Sequence, residues 1–496
     1  MKYCSLASFN RVGNAPRVDE EQTRTSLDAR GVAHAVKRGQ PHKLKLFNHE
    51  RLSTIGKNMR RWDIFCTVVD NWGDIGTCWR LARQLAAEHD AGVRLWIDKL
   101  ESFACLCPSV STAAAVQHVD SIEIRRWPSD FPAVNDADAD VADVVVEAFA
   151  CELPATYVAA MARRGVAPVW INLEYLSAEG WVDDCHRLAS PHPRWPLKKT
   201  FFFPGFTLKT GGLLRERDLR SDRAAFDLAA QAEFWRSVNV APRTDDELRV
   251  SLFCYDNPAL PELLPCWADG PTAVRVLAAP GAATEQIARW SGTALLPGAE
   301  LCRGSLTVQA LPFLSQANYD RLLWSCDVNF VRGEDSFVRA QWAEQPFVWQ
   351  IYPQSEGTHL IKRDAFLERY LGEHSRAFNV GWDQLASSAG PPSGDGEKTG
   401  WAGAAKRRLS HPTDFADLTR RLPCECDDLG SASDAVRCCW RAWNDPGGKN
   451  TENMASAWQS FIANRPAIQR HGKLWANQLD QQSDLANNLA RFVQEK

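Results

Sequence analysis

The sequence predicts an α/β fold built from two doubly wound, Rossmann-like halves facing one another across a cleft. Three observations carry this. Apolar strand-like runs alternate with amphipathic helical stretches from Arg61 to about Pro242, and the alternation restarts at Leu248 after the acidic stretch Thr244-Asp-Asp-Glu247. Each half holds an apolar strand that runs into a polar turn and then a helix, the parallel βαβ pattern. The chain has 496 residues, more than one compact core accommodates.

Taken in order, residues 1–58 are rich in Arg, Lys, His, Asn and Ser and lack apolar periodicity. They read as a flexible N-terminal extension, with Met59 standing directly before Arg60-Arg61 and the first strong strand, and Met59 is a candidate start of the structured protein. Residues 59–243 form the first half. In it, Trp62–Val69 is a buried strand, Asp70-Asn71-Trp72-Gly73-Asp74-Ile75-Gly76 the turn, Thr77–His89 a helix, and Arg94–Ile97 the returning strand. Ile122–Trp127, Val141–Phe149 and Ala167–Leu173 are further strands, and Pro154–Arg164 is a helix with proline in its first turn. Residues 244–450 form the second half. Its strands are Leu248–Tyr255, Ala273–Ala279, Leu306–Leu314, Val328–Val331 and Pro346–Tyr352, with helices over Pro261–Trp267 and Gln316–Cys326. Ser387–Gly403, rich in Gly, Pro, Ser and Ala, reads as a loose insertion. Residues 451–496 return to helical periodicity.

Composition excludes several classes. A net charge of −4 gives no basic face for nucleic acid. The 15 cysteines follow no disulfide or zinc spacing and fit reduced thiols in a cytoplasmic protein. No run is apolar and long enough to span a bilayer, and the N-terminus lacks a secretory core. Asp136-Ala-Asp138-Ala-Asp140 reads as a solvated loop. Gly396-Glu-Lys398-Thr399 lacks the strand and glycine spacing of a phosphate loop, and the first turn lacks the dinucleotide glycine pattern. His186 and His192 have no zinc-like arrangement, and no Gly-x-Ser-x-Gly elbow is present. Most of the 20 tryptophans read as core; Trp72 alone falls inside a candidate site.

Two turns carry the candidate chemistry. Val328-Asn-Phe-Val331 runs into Arg332-Gly333-Glu334-Asp335-Ser336, after which a helix starts. A strand ending in a cation and a glycine before a helix builds an anion pocket, because the first-turn N–H groups and the positive end of the helix dipole face it. Glu334 and Asp335 suit a ligand that also carries hydroxyls or sits near a basic acceptor, the profile of a sugar nucleotide. In the first half, Asp70 and Asp74 flank the tight turn. Two readings stand: they shape the turn and cap the helix, or they line a cleft at the strand's carboxyl end. Glu334 and Asp335 carry the same pair of readings, since acids also complement a helix N-terminus.

Asp70-Asn-Trp-Gly-Asp74-Ile-Gly-Thr-Cys-Trp-Arg-Leu-Ala-Arg83, Leu173-Glu-Tyr-Leu-Ser177, Gly211-Gly-Leu-Leu-Arg-Glu-Arg-Asp218 and Arg332–Trp342 together resemble the bacterial elongation factor P arginine rhamnosyltransferase family. The resemblance runs from about Arg61 to the C-terminus and omits the N-terminal arm and the Ser387–Gly403 insertion. It implies a GT-B glycosyltransferase that moves rhamnose from TDP-β-L-rhamnose, bound by the C-terminal domain, to one arginine of elongation factor P, bound by the N-terminal domain. It further implies inversion and no metal or other cofactor, while the charge and the lack of a basic or amphipathic membrane-facing stretch point to no nucleic-acid or membrane partner. Asp74 corresponds to the general base and Glu334 to a second essential carboxylate. Asp70 flanks the donor-contacting turn Asn71-Trp72-Gly73, while Arg332, Gly333, Asp335 and Ser336 match the loop around the nucleotide and diphosphate. Phe253 and Tyr255 match aromatic donor contacts, Phe313, Gln316 and Tyr319 the thymine side, and Tyr352 follows in Ile-Tyr-Pro-Gln.

Chemistry suits that assignment: a guanidinium is protonated and delocalised, so a carboxylate must both orient it and take a proton as the C–N bond forms. Whether Glu334 orients the partner of Asp74 or steadies charge on the sugar stays open. Two other readings remain, a GT-B enzyme with a lipid or polysaccharide acceptor and a non-catalytic sensor of nucleotide sugar.

Overall fold

The computed structural model describes residues 59–70, 72–354, 357–372, 426–449 and 451–496. The N-terminal extension 1–58, the insertion 387–403, the Gly396–Thr399 motif and Asn71 lie outside the described residues. The first half contains β1 (Arg61–Cys66), β2 (Gly92–Ile97), β3 (Val116–Val119), β4 (Ile122–Arg126), β5 (Val144–Ala148), β6 (Val169–Leu173), β7 (Ala189–Pro191) and β8 (Lys198–Phe202). They form one sheet in the order β3-β4-β2-β1-β5-β6-β8-β7. The second half contains β9 (Leu248–Leu252), β10 (Val274–Ala278), β11 (Glu300–Arg303), β12 (Leu306–Ala310), β13 (Val328–Arg332) and β14 (Phe347–Gln350), in the order β11-β12-β10-β9-β13-β14. Edge strands β3, β7 and β11 pair antiparallel; the interior pairs are parallel. Central strands such as β1 and β5 are buried almost throughout because helices cover both faces of a parallel sheet.

The strand orders place the sites. In the first sheet the chain moves outward from β1 through β2 and β4, then restarts at β5 on the other side of β1. In the second it moves from β9 through β10 and β12, then restarts at β13. The crevices at β1/β5 and β9/β13 are therefore topological switch points, where loops diverge and leave room for a ligand. The Asp70–Asp74 turn comes after β1, and Arg332 ends β13 with Gly333–Ser336 directly after it.

Several element boundaries differ from the sequence reading. β1 ends at Cys66, and the helix after it begins at Gly73 rather than Thr77. The cause is Asp74, whose Oδ2 accepts the N–H groups of Val69 and Asp70 at 2.8 Å each and folds the turn back on itself. Likewise the strand expected to run to Phe149 ends at Ala148, and Phe149 leaves it at φ 56°. Helices Met454–Ala463 and Arg465–Asp480 pack into the core of the second half. Leu485–Gln494 instead crosses to the first, where Leu485, Leu489 and Phe492 join the cluster around Ile64 and Leu95. The C-terminal stretch thus straps both halves together. Among the described residues, no helix is long and apolar enough to cross a membrane.

Candidate active site

Between the halves lies a cavity of about 720 Å³, part of it open to solvent. From the second half come Phe253 after β9, Phe313, Gln316 and Tyr319 around the Gln316–Ser325 helix, and Arg332, Asp335 and Ser336 after β13. From the first half come Asp70, Trp72 and Gly73. The Trp72 ring meets Phe313 edge-on at 5.2 Å and lies 6.4 Å from Phe253, while Phe253 meets Tyr319 edge-on at 6.0 Å. An aromatic slot bounded by polar groups at one end suits a flat base carried on a charged tail.

That polar end is built around Asp70. Its Oδ2 accepts the Tyr255 hydroxyl at 2.6 Å across the cleft, and its Oδ1 lies 3.6 Å from Arg332 Nη1. The Arg332 guanidinium stacks over Tyr255 at 4.3 Å and Phe253 at 4.5 Å, with Trp72 at 5.5 Å. A caged cation of this kind keeps its charge aimed into the cavity while its flat faces stay dry. Gly333 is required here: its φ is 62°, and a Cβ would come within 2.8 Å of Asp70 Oδ2. A Cβ on Gly73 would approach the same oxygen to 2.6 Å. Trp349, stacked on Phe337 at 3.7 Å, donates Nε1–H to the Gly333 carbonyl at 2.7 Å and fixes the loop from behind. The Ser336 hydroxyl is engaged with the Arg332 backbone, accepting its N–H at 3.2 Å and donating to its carbonyl.

The two carboxylates singled out for chemistry lie at the Asp70 side of the cavity rather than in its wall. Asp74 is 4 % exposed; burial pushes its carboxyl up to about 6, against the two backbone N–H groups that favour the charge. Glu334 rises further, to about 8, again through burial, with Asp74 and Asp70 adding like-charge repulsion. One short segment touches both. The Tyr175 hydroxyl lies 3.5 Å from Asp74 Oδ1, and Leu176 N–H donates to Glu334 Oε1 at 3.0 Å. Tyr175 itself stacks on Phe149 at 4.6 Å, the residue held at positive φ just beyond β5. Two carboxyls whose surroundings separate their proton affinities are what acid–base chemistry at neutral pH uses. Tyr352 stands apart: it meets Tyr255 edge-on at 5.3 Å, is 39 % exposed and is not part of the cavity wall.

The sequence matches the model of the family described as Elongation-Factor P (EF-P) rhamnosyltransferase EarP over residues 62–423 and 424–494. This chain belongs to the EarP family. The protein-arginine rhamnosyltransferase of Pseudomonas putida is 42 % identical over 434 residues, spanning 87 % of this chain and 98 % of that protein. That of Pseudomonas aeruginosa is 42 % identical over 437 residues, 88 % and 99 % of the two chains. A solved structure, "Structural basis for EarP-mediated arginine glycosylation of translation elongation factor EF-P", superposes with TM-score 0.53 at 32 % identity, covering 88 % of this chain and 99 % of that one. The two Rossmann-like halves facing across a cleft are the GT-B arrangement.

The two turns singled out in the sequence of this EarP-family chain line one cavity, and the residues that join them lie outside the sequence reading. Leu173–Ser177, a motif with no chemistry legible in its sequence, touches both carboxylates through Tyr175 and Leu176. Arg80 sat unremarked inside the first motif, yet it is 3 % exposed and bonded to carboxylates of the other half. Asp320, outside every motif, accepts from both Arg80 and Arg339. His186 packs on Phe202 and accepts the Phe203 N–H, and Asp136 caps a short helix; both are structural.

Proposed function

We propose that this chain moves rhamnose from TDP-β-L-rhamnose to an arginine side chain of EF-P in the cytoplasm, inverting the anomeric carbon without a metal or other cofactor. The observation that carries the reading is the meeting of Asp74 and Glu334, from opposite halves, at Tyr175–Leu176 beside an aromatic cavity with a caged arginine. In the proposed reaction the acceptor guanidinium enters at the carboxylates and its nitrogen forms the C–N bond. The anomeric C–O bond to the diphosphate breaks, TDP leaves with that electron pair, and Asp74 takes the proton the nitrogen loses. Arg332 and the N–H groups opening the Asp335–Trp342 helix offset charge on the departing diphosphate. The test is intact mass of purified EF-P after incubation with this protein and TDP-β-L-rhamnose. One added deoxyhexose, mapped to a single arginine, is expected; no addition despite TDP binding redirects the search to another acceptor.

Two further outcomes follow from the geometry. Arg332→Ala removes the caged cation and is expected to raise the Kd for TDP about 10- to 100-fold, the range for a charge-assisted contact. Unchanged affinity in a calorimetric titration removes Arg332 from the diphosphate role. A base whose carboxyl sits at about 6 must be ionised to act, so kcat/KM is expected to fall tenfold per pH unit on acidification below that value. A profile flat to pH 5 counts against Asp74.

A further inference from the structure

We infer that Arg80, a residue of the first half outside the cavity wall, is a positioning residue for the donor: it neutralises and orients Asp335 across the cleft. The inference rests on the reading of the cavity as the nucleotide-sugar site.

Arg80 lies in the Gly73–Glu88 helix, two turns beyond Asp74, with its guanidinium 3 % exposed. Its Nε donates to Asp335 Oδ1 at 2.8 Å, while Nη1 and Nη2 each reach the Asp320 carboxylate at 3.1 Å. Arg339 clamps the other edges of Asp320 at 2.9 and 2.8 Å and donates to Glu216 at 2.6 Å; Arg80 also lies 3.4 Å from Glu216. Five groups meet in one largely buried network: the first half gives Arg80 and Glu216, and the second gives Asp320, Asp335 and Arg339. Three of the four motifs that mark the family resemblance are stapled together by it.

Burying ions is a poor way to gain stability, because desolvation cancels much of the attraction, so such a network calls for another role. Its charge count supplies one. Three carboxylates face two guanidiniums, leaving one negative charge in surplus, and Asp335 is the member that lines the cavity. Its Oδ2 points past Gly76 toward Gln316 Nε2 at 3.5 Å, whereas Glu216 is one-third exposed and solvated. A diphosphate brought beside Asp335 meets like charge unless Arg80 offsets it. Because Arg80 belongs to the opposite half, the offset depends on the contact across the cleft.

The test compares TDP with thymidine, which shares the base and lacks the diphosphate, by calorimetry on the purified full chain. Arg80→Gln is expected to weaken TDP at least tenfold and leave thymidine within twofold, raising the donor KM with little change in kcat. Asp335→Asn placed in the Arg80→Gln background is expected to recover TDP affinity, because it deletes the uncompensated charge. A purely architectural Arg80 would instead weaken both ligands together, or neither, and the second substitution would rescue nothing; any of these results overturns the inference. Should Arg80→Gln not fold, Arg80→Lys is measured instead: lysine keeps the charge without the fork, so TDP affinity is expected to stay within about threefold of normal, and a joint loss of TDP and thymidine overturns the inference. If the unsubstituted chain binds thymidine and TDP equally or not at all, the nucleotide-sugar reading itself falls.

Discussion

Asp74→Asn is expected to abolish rhamnose transfer, by about 10³-fold or more, while TDP binds within about twofold of normal affinity. The separation follows from how the carboxylate divides its two oxygens. Oδ2 is occupied by Val69 and Asp70 N–H groups at 2.8 Å, and an asparagine carbonyl can accept both, so the turn and Trp72 stay in place. Oδ1 faces Tyr175 at 3.5 Å and is the oxygen left to receive a proton. An amide cannot do so. The aromatic slot and Arg332 are untouched by the change, which is why binding and turnover should part. Single-turnover intact mass of EF-P and calorimetric titration of TDP check both halves of the statement. Near-normal turnover sinks the assignment of Asp74 as base; joint loss of turnover and binding shows instead that the residue is needed to build the turn. Both sequence readings of Asp74, turn-former and cleft carboxylate, therefore describe the same side chain.

How much was legible in the sequence depended on whether the signal was local. The α/β class and the central strands were legible because parallel strands buried on both faces leave long apolar runs, as at Ile64–Cys66 and Val144–Val146. The edge strands β3, β7 and β11 were not, since Val116–Val119 is half exposed and Ala189–Pro191 fully exposed, with no apolar run to announce either. Turn boundaries failed where a side chain rewired the backbone, as Asp74 does. At the site, residues carrying chemistry within a single turn stood out: Asp70, Asp74, Arg332, Glu334. Those that matter through partners hundreds of positions away did not. Arg80 looks like any helical surface arginine until the fold sets it against Asp320 and Asp335, and Tyr175 looks like any loop aromatic until Phe149 and Asp74 flank it.

Glu334→Gln is expected to cost at least about 100-fold in activity and yet raise the melting temperature by a few degrees at pH 8. Burial lifts this carboxyl from 4.5 to about 8, so between those values the folded chain holds a proton that the unfolded chain has released. Stability contributed by that proton is present at acid pH and drains away as pH rises through the window; the sign is opposite to that of a salt-bridged carboxylate. Glutamine keeps an oxygen for Leu176 N–H and does not titrate, so the gain in melting temperature should shrink toward zero near pH 4.5. Function needs the reverse state. An arginine side chain arrives as a permanent cation beside Asp74, and it should drive the proton off Glu334 to gain a second negative charge. Binding of EF-P at pH 7 should therefore release a proton, measurable as a dependence of calorimetric heat on the ionisation enthalpy of the buffer, and that release should vanish in Glu334→Gln. If the release persists in the variant, or if its melting temperature shows no pH-dependent gain, Glu334 is ionised from the start. The carboxyl would then serve as a fixed charge held by Leu176 N–H.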